Sequence, residues 1–140
     1  MPRRGKWDAT NRARARRPEG LGLNKTEQAY ARVLHLRKLA GEILRYEFEA
    51  VRLTLGARLT YTPDFYVLEH DMVPTFHEVK GSAAFKLDPT GRVKIKLAAE
   101  RFPEFRFIAV VQRTKKAGGG WTYEEIKTQA GARLEWENTT

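Results

Sequence analysis

Residues 105–111, Phe-Arg-Phe-Ile-Ala-Val-Val, form a nearly continuous apolar stretch of strand length. A strand with one wet face alternates apolar and polar residues, so a run of this kind has to be covered on both faces. The segment before it, Val93 to Phe102, reads as a helix bearing Lys94, Lys96 and Arg101, and Pro103 ends it. A helix placed between a strand ending near Val79 and the strand starting at Phe105 lets those strands pair in parallel through a right-handed crossover. The expected class is therefore α/β, a mixed central β-sheet flanked by helices.

Upstream, Asn24-Lys-Thr-Glu27 has the spacing of a helix start, a capping side chain followed three residues later by a glutamate. Tyr30, Val33 and Leu34, with Leu36 and Leu39, supply an apolar face before Gly41, a natural stop. Ile43 to Leu55 partly alternates, as in one or two half-buried strands. A turn at Gly56-Ala57 leads into a strand over Leu59 to Leu68, a polar turn falls at His70-Asp71, and a strand follows over Thr75 to Val79. These strands form an antiparallel meander. Gly81 to Gly91 reads as a loop, Thr114 to Gly120 as a basic, glycine-rich connector, and Trp121 to Trp136 as either a strand with a turn or an amphipathic helix. The chain thus divides into an arm (1–20), a core (21–112) and a connector with an appendage (113–140).

At 140 residues with 41% hydrophobic content, the chain suits one domain with a modest core. Lys and Arg outnumber Asp and Glu by 26 to 17, a net charge of +9, which predisposes the protein to polyanions. Arg3, Arg4, Lys6, Arg12, Arg14, Arg16 and Arg17 against Asp8 and Glu19 give the arm alone a balance of +5. An arm with so few apolar residues is expected to be disordered until it meets a partner, and to contact backbone phosphates rather than serve only as a solubilising tail. There is no apolar run of about 18 residues and no charged-then-apolar leader, so nucleic acid is the expected partner, not a membrane. Without cysteine there is no disulfide framework and no thiolate metal site, which fits a reducing, cytoplasmic setting.

Candidate chemistry lies in Pro63-Asp64 and Glu78-Val79-Lys80. In an extended strand Glu78 and Lys80 share a face, with Val79 turned into the core. The intervening strand, turn and strand bring Asp64 beside Glu78. Two carboxylates converging near a lysine on so basic a protein point to a hard divalent cation facing a phosphate. Taken singly, Asp64 also reads as a turn residue, Glu78 and Lys80 as a solvated ion-pair face, and Glu27 as a helix cap. His77 points to the core, as a satisfied buried histidine, and His35 and His70 to solvent. Tyr61 reads as a core aromatic or, less readily, a DNA contact.

Pro63-Asp64, Glu78-Val79-Lys80, the leading-helix Glu27 and the lysines of the second helix together resemble the PD-(D/E)XK nuclease superfamily. Within it the chain is similar to small phage and prophage endonucleases grouped with Holliday-junction resolvases. The resemblance covers roughly residues 24–111 and implies a restriction-endonuclease-like core in αβββαβ order. It implies catalytic roles for Glu27, Asp64, Glu78 and Lys80, with Mg²⁺, or Mn²⁺ in its place, held by Asp64, Glu78 and the backbone carbonyl of Val79. Lys96 and Lys94 match the family's helix lysines that meet phosphate, joined by Arg12, Arg14, Arg16 and Arg17 of the arm. Gly81 resembles the glycine that often follows Glu-x-Lys, and Phe85 and Lys86 are candidate DNA contacts. The implied activity is hydrolysis of phosphodiester bonds in branched DNA by a homodimer in the cytoplasm, a host's if phage-encoded. The other reading is a non-catalytic nucleic-acid-binding module of the same fold.

Overall fold

In the computed structural model, which describes residues 23–82 and 89–128, the first helix starts where two side chains close its end. Asn24 Oδ1 accepts the Glu27 N–H at 2.8 Å, and Glu27 Oε1 accepts the Asn24 N–H at 3.0 Å. This reciprocal box satisfies donors that a helix end otherwise leaves open. Helix α1 (Lys25–Leu39) buries Glu27, Tyr30 and Leu34, a stripe at helical spacing. Leu36 and Leu39, expected on that stripe, are exposed instead. Leu36 lies two residues past Leu34, most of the way to the opposite side of a helix. Ala40 caps the helix, and Gly41 turns the chain away at φ +77°.

Strands β1 (Arg45–Phe48), β2 (Leu53–Thr54), β3 (Thr60–Tyr61), β4 (Phe65–Leu68) and β5 (Pro74–Gly81) follow. Helix α2 (Pro89–Arg101) then leads to β6 (Arg106–Gln112) and β7 (Trp121–Glu125). Among the described residues the central sheet has the order β1-β4-β5-β6-β7, and only its β5 and β6 are parallel, with Glu78 opposite Ala109. The architecture is mixed α/β, with a mixed sheet and two helices among the described residues.

Three features differ from the expectation. The single strand over Leu59–Leu68 is two strands, broken at Thr62-Pro63-Asp64, because proline has no N–H for a ladder. Its first part pairs with β2 in a separate two-stranded sheet, Leu53 opposite Tyr61. Residues 121–125, placed with the appendage, are an outer strand of the central sheet along β6. Helix α2 starts at Pro89, four residues before the expected Val93, as proline's fixed φ suits a first turn.

The sheet is covered on both sides. On one face Tyr30 and Leu34 of α1 pack with Ile43, Phe65, Val67, Val79 and Val110. On the other, Ile95, Ala98 and Ala99 of α2 pack with Leu53, Tyr61, Phe76 and Phe107. Strand β5 serves both cores by alternation. His77 and Val79 face α1, whereas Phe76 and Glu78 face α2 and the β2–β3 hairpin. His77 is buried, with Nδ1 sharing a hydrogen bond with the Tyr30 hydroxyl at 2.6 Å, and His35 and His70 are exposed. At the far end, Arg106 holds Asp71 at 2.8 Å and Glu69 at 3.2 Å, tying the β4–β5 turn to β6. No helix among the described residues is long and apolar enough to cross a membrane.

Candidate active site

Strand β4 begins at Phe65, opposite His77, so β5 runs on past it with no β4 partner. The Asp64 side chain fills that gap. Its Oδ2 accepts the Val79 N–H at 2.8 Å, and its backbone carbonyl accepts the Glu49 N–H at 2.8 Å. Pro63, fully buried, fixes the approach. Asp64 is thereby pinned through main chain and side chain one position from Glu78.

Glu78 stands on the central strand with only 7% of its surface exposed, an unusual place for a carboxylate. Both of its oxygens are engaged. The Tyr61 hydroxyl donates to Oε2 at 2.6 Å, and Lys80 Nζ lies 3.5 Å from Oε1. Lys80 reaches back along its own strand from two residues away, as alternation requires. Glu27, buried at the mouth of α1, is close enough to hydrogen-bond the Asp64 carboxyl and to act electrostatically on Glu78. Capping Asn24 and meeting Asp64 are therefore compatible tasks for one side chain.

Crowding shows in the proton affinities. Burial, the neighbouring Glu78 and then Glu27 push the Asp64 carboxyl well above the usual carboxylate range, against the opposing Val79 N–H. Glu78 is raised as well, by burial and Glu27, while Tyr61 and Lys80 pull it back. Burial and the Glu78 charge keep the Tyr61 phenol protonated, so it remains a donor. The Asp64 and Glu78 carboxyl groups, this close in a poorly solvated site, resist ionising together. A shared proton or a bound cation relieves them.

The donor set is all oxygen, which suits a hard cation and not a thiolate- or imidazole-seeking one. Among the described residues no group of three or more His, Asp or Glu side chains is arranged to hold a metal ion. Asp64 and Glu78 remain as a pair, the number through which Mg²⁺ is commonly held beside waters and phosphate oxygens. The Val79 N–H, rather than its carbonyl, is the backbone group engaged with Asp64.

Of the other expected site residues, Lys96 is exposed and Lys94 half-buried on α2, which packs against β3 and β6. Neither is joined to Asp64 or Glu78 by a hydrogen bond or ion pair among the described residues. Gly81 ends β5 with open space around its α-carbon. Arg12, Arg14, Arg16, Arg17, Phe85 and Lys86 lie outside the described residues. Tyr61 is both core aromatic and site donor. The second role had no local signal beyond an aromatic three residues before Asp64. No protein-family model, no curated protein and no solved structure matches this chain.

Proposed function

We propose that this protein is a metal-dependent DNA endonuclease with a restriction-endonuclease-like core, acting on branched DNA such as four-way junctions. The observation that carries the reading is the convergence of Asp64, just before β4, and Glu78 on β5, with Lys80 held against Glu78. Burying mutually repelling carboxylates costs stability, and such sites cluster where chemistry is done. The parallel β5–β6 pair, the leading-helix Glu27 and the net charge of +9 favour the same reading.

Asp64 and Glu78 would hold Mg²⁺ or Mn²⁺, which when bound lowers the pKa of water and offsets charge on a phosphodiester. Lys80 is a point charge with its donors aimed at the same space, suited to orient a nucleophilic water and to stabilise negative charge on the phosphorane-like transition state. Glu27 sets the charge balance of the pair from α1. Lys94, Lys96 and the basic arm supply phosphate contacts, which position DNA without reading its sequence. Coordinated cutting of two strands of a junction calls for two such sites, and a two-fold homodimer supplies them.

The test is a panel of labelled four-way, Y-shaped, flap, duplex and single-stranded DNAs with Mg²⁺, Mn²⁺, Ca²⁺ or EDTA. Paired symmetric nicks in four-way junctions with Mg²⁺ or Mn²⁺, and binding without cutting in Ca²⁺, are expected. Binding that survives EDTA with no nicking of any substrate would leave a non-catalytic binding module. Light scattering on the free protein and its junction complex measures the dimer.

A further inference from the structure

We infer that Tyr61 is a positioning residue for Glu78, fixing the orientation of that carboxylate for the cation; the inference rests on the proposed nuclease reading. Strand β3 lies outside the central sheet, and its partner is β2. That hairpin packs on α2, with the Tyr61 ring among Leu53, Phe76, Ile95 and Ala98. Only the hydroxyl leaves this apolar setting, and it donates to Glu78 Oε2 at 2.6 Å. The opposite oxygen, Oε1, faces Lys80 at 3.5 Å. One partner on each oxygen fixes the carboxylate plane, which neither could do alone.

Tyr61 and Asp64 are separated only by Thr62 and the buried Pro63. One short segment therefore delivers both the second carboxylate of the site and the donor that aims the first. A buried carboxylate with a free torsion would spend part of its time turned toward Lys80 alone. Groups that orient metal ligands from behind are typically worth about 10- to 100-fold in metal affinity or activity.

The test is calorimetric titration of Mn²⁺ into the full-length protein without DNA, alongside single-turnover cleavage. Tyr61→Phe keeps the ring in its core and removes one oxygen. It is expected to weaken Mn²⁺ binding by about 10-fold or more and to slow cleavage, with affinity for DNA in EDTA unchanged. Tyr46→Phe, whose hydroxyl meets His35 instead, should leave Mn²⁺ affinity unchanged. Because the hydroxyl acts through Glu78, adding Tyr61→Phe to Glu78→Gln should cost no further Mn²⁺ affinity. That comparison remains informative if Tyr61→Phe also lowers thermal stability. Unchanged Mn²⁺ affinity in Tyr61→Phe, or full additivity with Glu78→Gln, overturns the positioning role and leaves the nuclease reading standing. A wild-type protein that neither binds Mn²⁺ nor cuts DNA overturns both.

Discussion

The Asp64 carboxylate accepts the backbone N–H of Val79 at 2.8 Å, so the side chain that ends one strand's approach occupies the place of a missing ladder partner on the next. This bond sets Asp64 beside Glu78, and both carboxyl groups hold protons more tightly than usual because burial and like charge disfavour ionisation. A folded-state pKa raised above the unfolded value of about 3.9 means stability is fully present below that pH and declines as the pH rises through the folded value. Asn at this position can still accept the Val79 N–H without the charge. Asp64→Asn should therefore be more stable than wild type at pH 8, by roughly 1–2 kcal/mol or several degrees in Tm, and indistinguishable near pH 3. Thermal unfolding across pH measures this, and a wild type that is the more stable at pH 8 would contradict it.

His77 gives a dependence of opposite sign. Burial, and then the positive charges of Arg37 and Arg106, push its imidazole down to about 3. The unfolded chain takes up that proton near pH 6.5, so the stability due to neutral His77 is complete above that pH and is lost as the pH falls toward 3. Glutamine can accept from Tyr30 but does not titrate. On going from pH 7 to pH 5, His77→Gln should lose on the order of 2 kcal/mol less stability than wild type. Urea midpoints at the two pH values compare them.

Gly41 turns the chain after α1 at φ +77°, and a side chain there would meet nothing within 4 Å. The cost of Gly41→Ala is thus backbone strain alone, about 1 kcal/mol. Denaturant unfolding should show that loss with cleavage unaffected, since the turn lies at the far end of α1 from Glu27.

Removing residues 1–17 takes away seven basic groups. Each lost phosphate contact should lower the slope of log affinity against log salt by about 0.7 to 0.9. Filter binding to a junction from 50 to 200 mM salt tests this. An unchanged slope would make the arm a solubilising tail.

What the sequence discloses here is mostly local or forced by periodicity. The Asn24–Glu27 box is readable because both partners lie within one helical turn. The α/β class follows from residues 105–111, whose lack of alternation demands cover on both faces, and β6 indeed lies between β5 and β7 beneath both helices' cores. Asp64 and Glu78 are brought together by a hairpin whose two strands flank a single turn. Less legible are contacts that depend on where separate pieces dock. Tyr61 reaches Glu78 only because β2 and β3 leave the sheet as a hairpin, a consequence of Pro63 that a continuous strand over 59–68 concealed. Trp121–Glu125 pairs with β6 although four of its five residues are exposed, so the alternation of Trp121 and Tyr123, whose rings both lie by Tyr30, is its one strand signal.

Asp64, Glu78 and Lys80 are proposed to perform phosphodiester hydrolysis, and single-turnover cleavage of a four-way junction in Mg²⁺ is the measurement that bears on them. Asp64→Asn and Glu78→Gln should abolish cutting, and Lys80→Ala should slow it by about 100-fold or more, while junction affinity in EDTA stays close to that of wild type in all three. Full cleavage by Asp64→Asn or Glu78→Gln, both folded, would contradict the account.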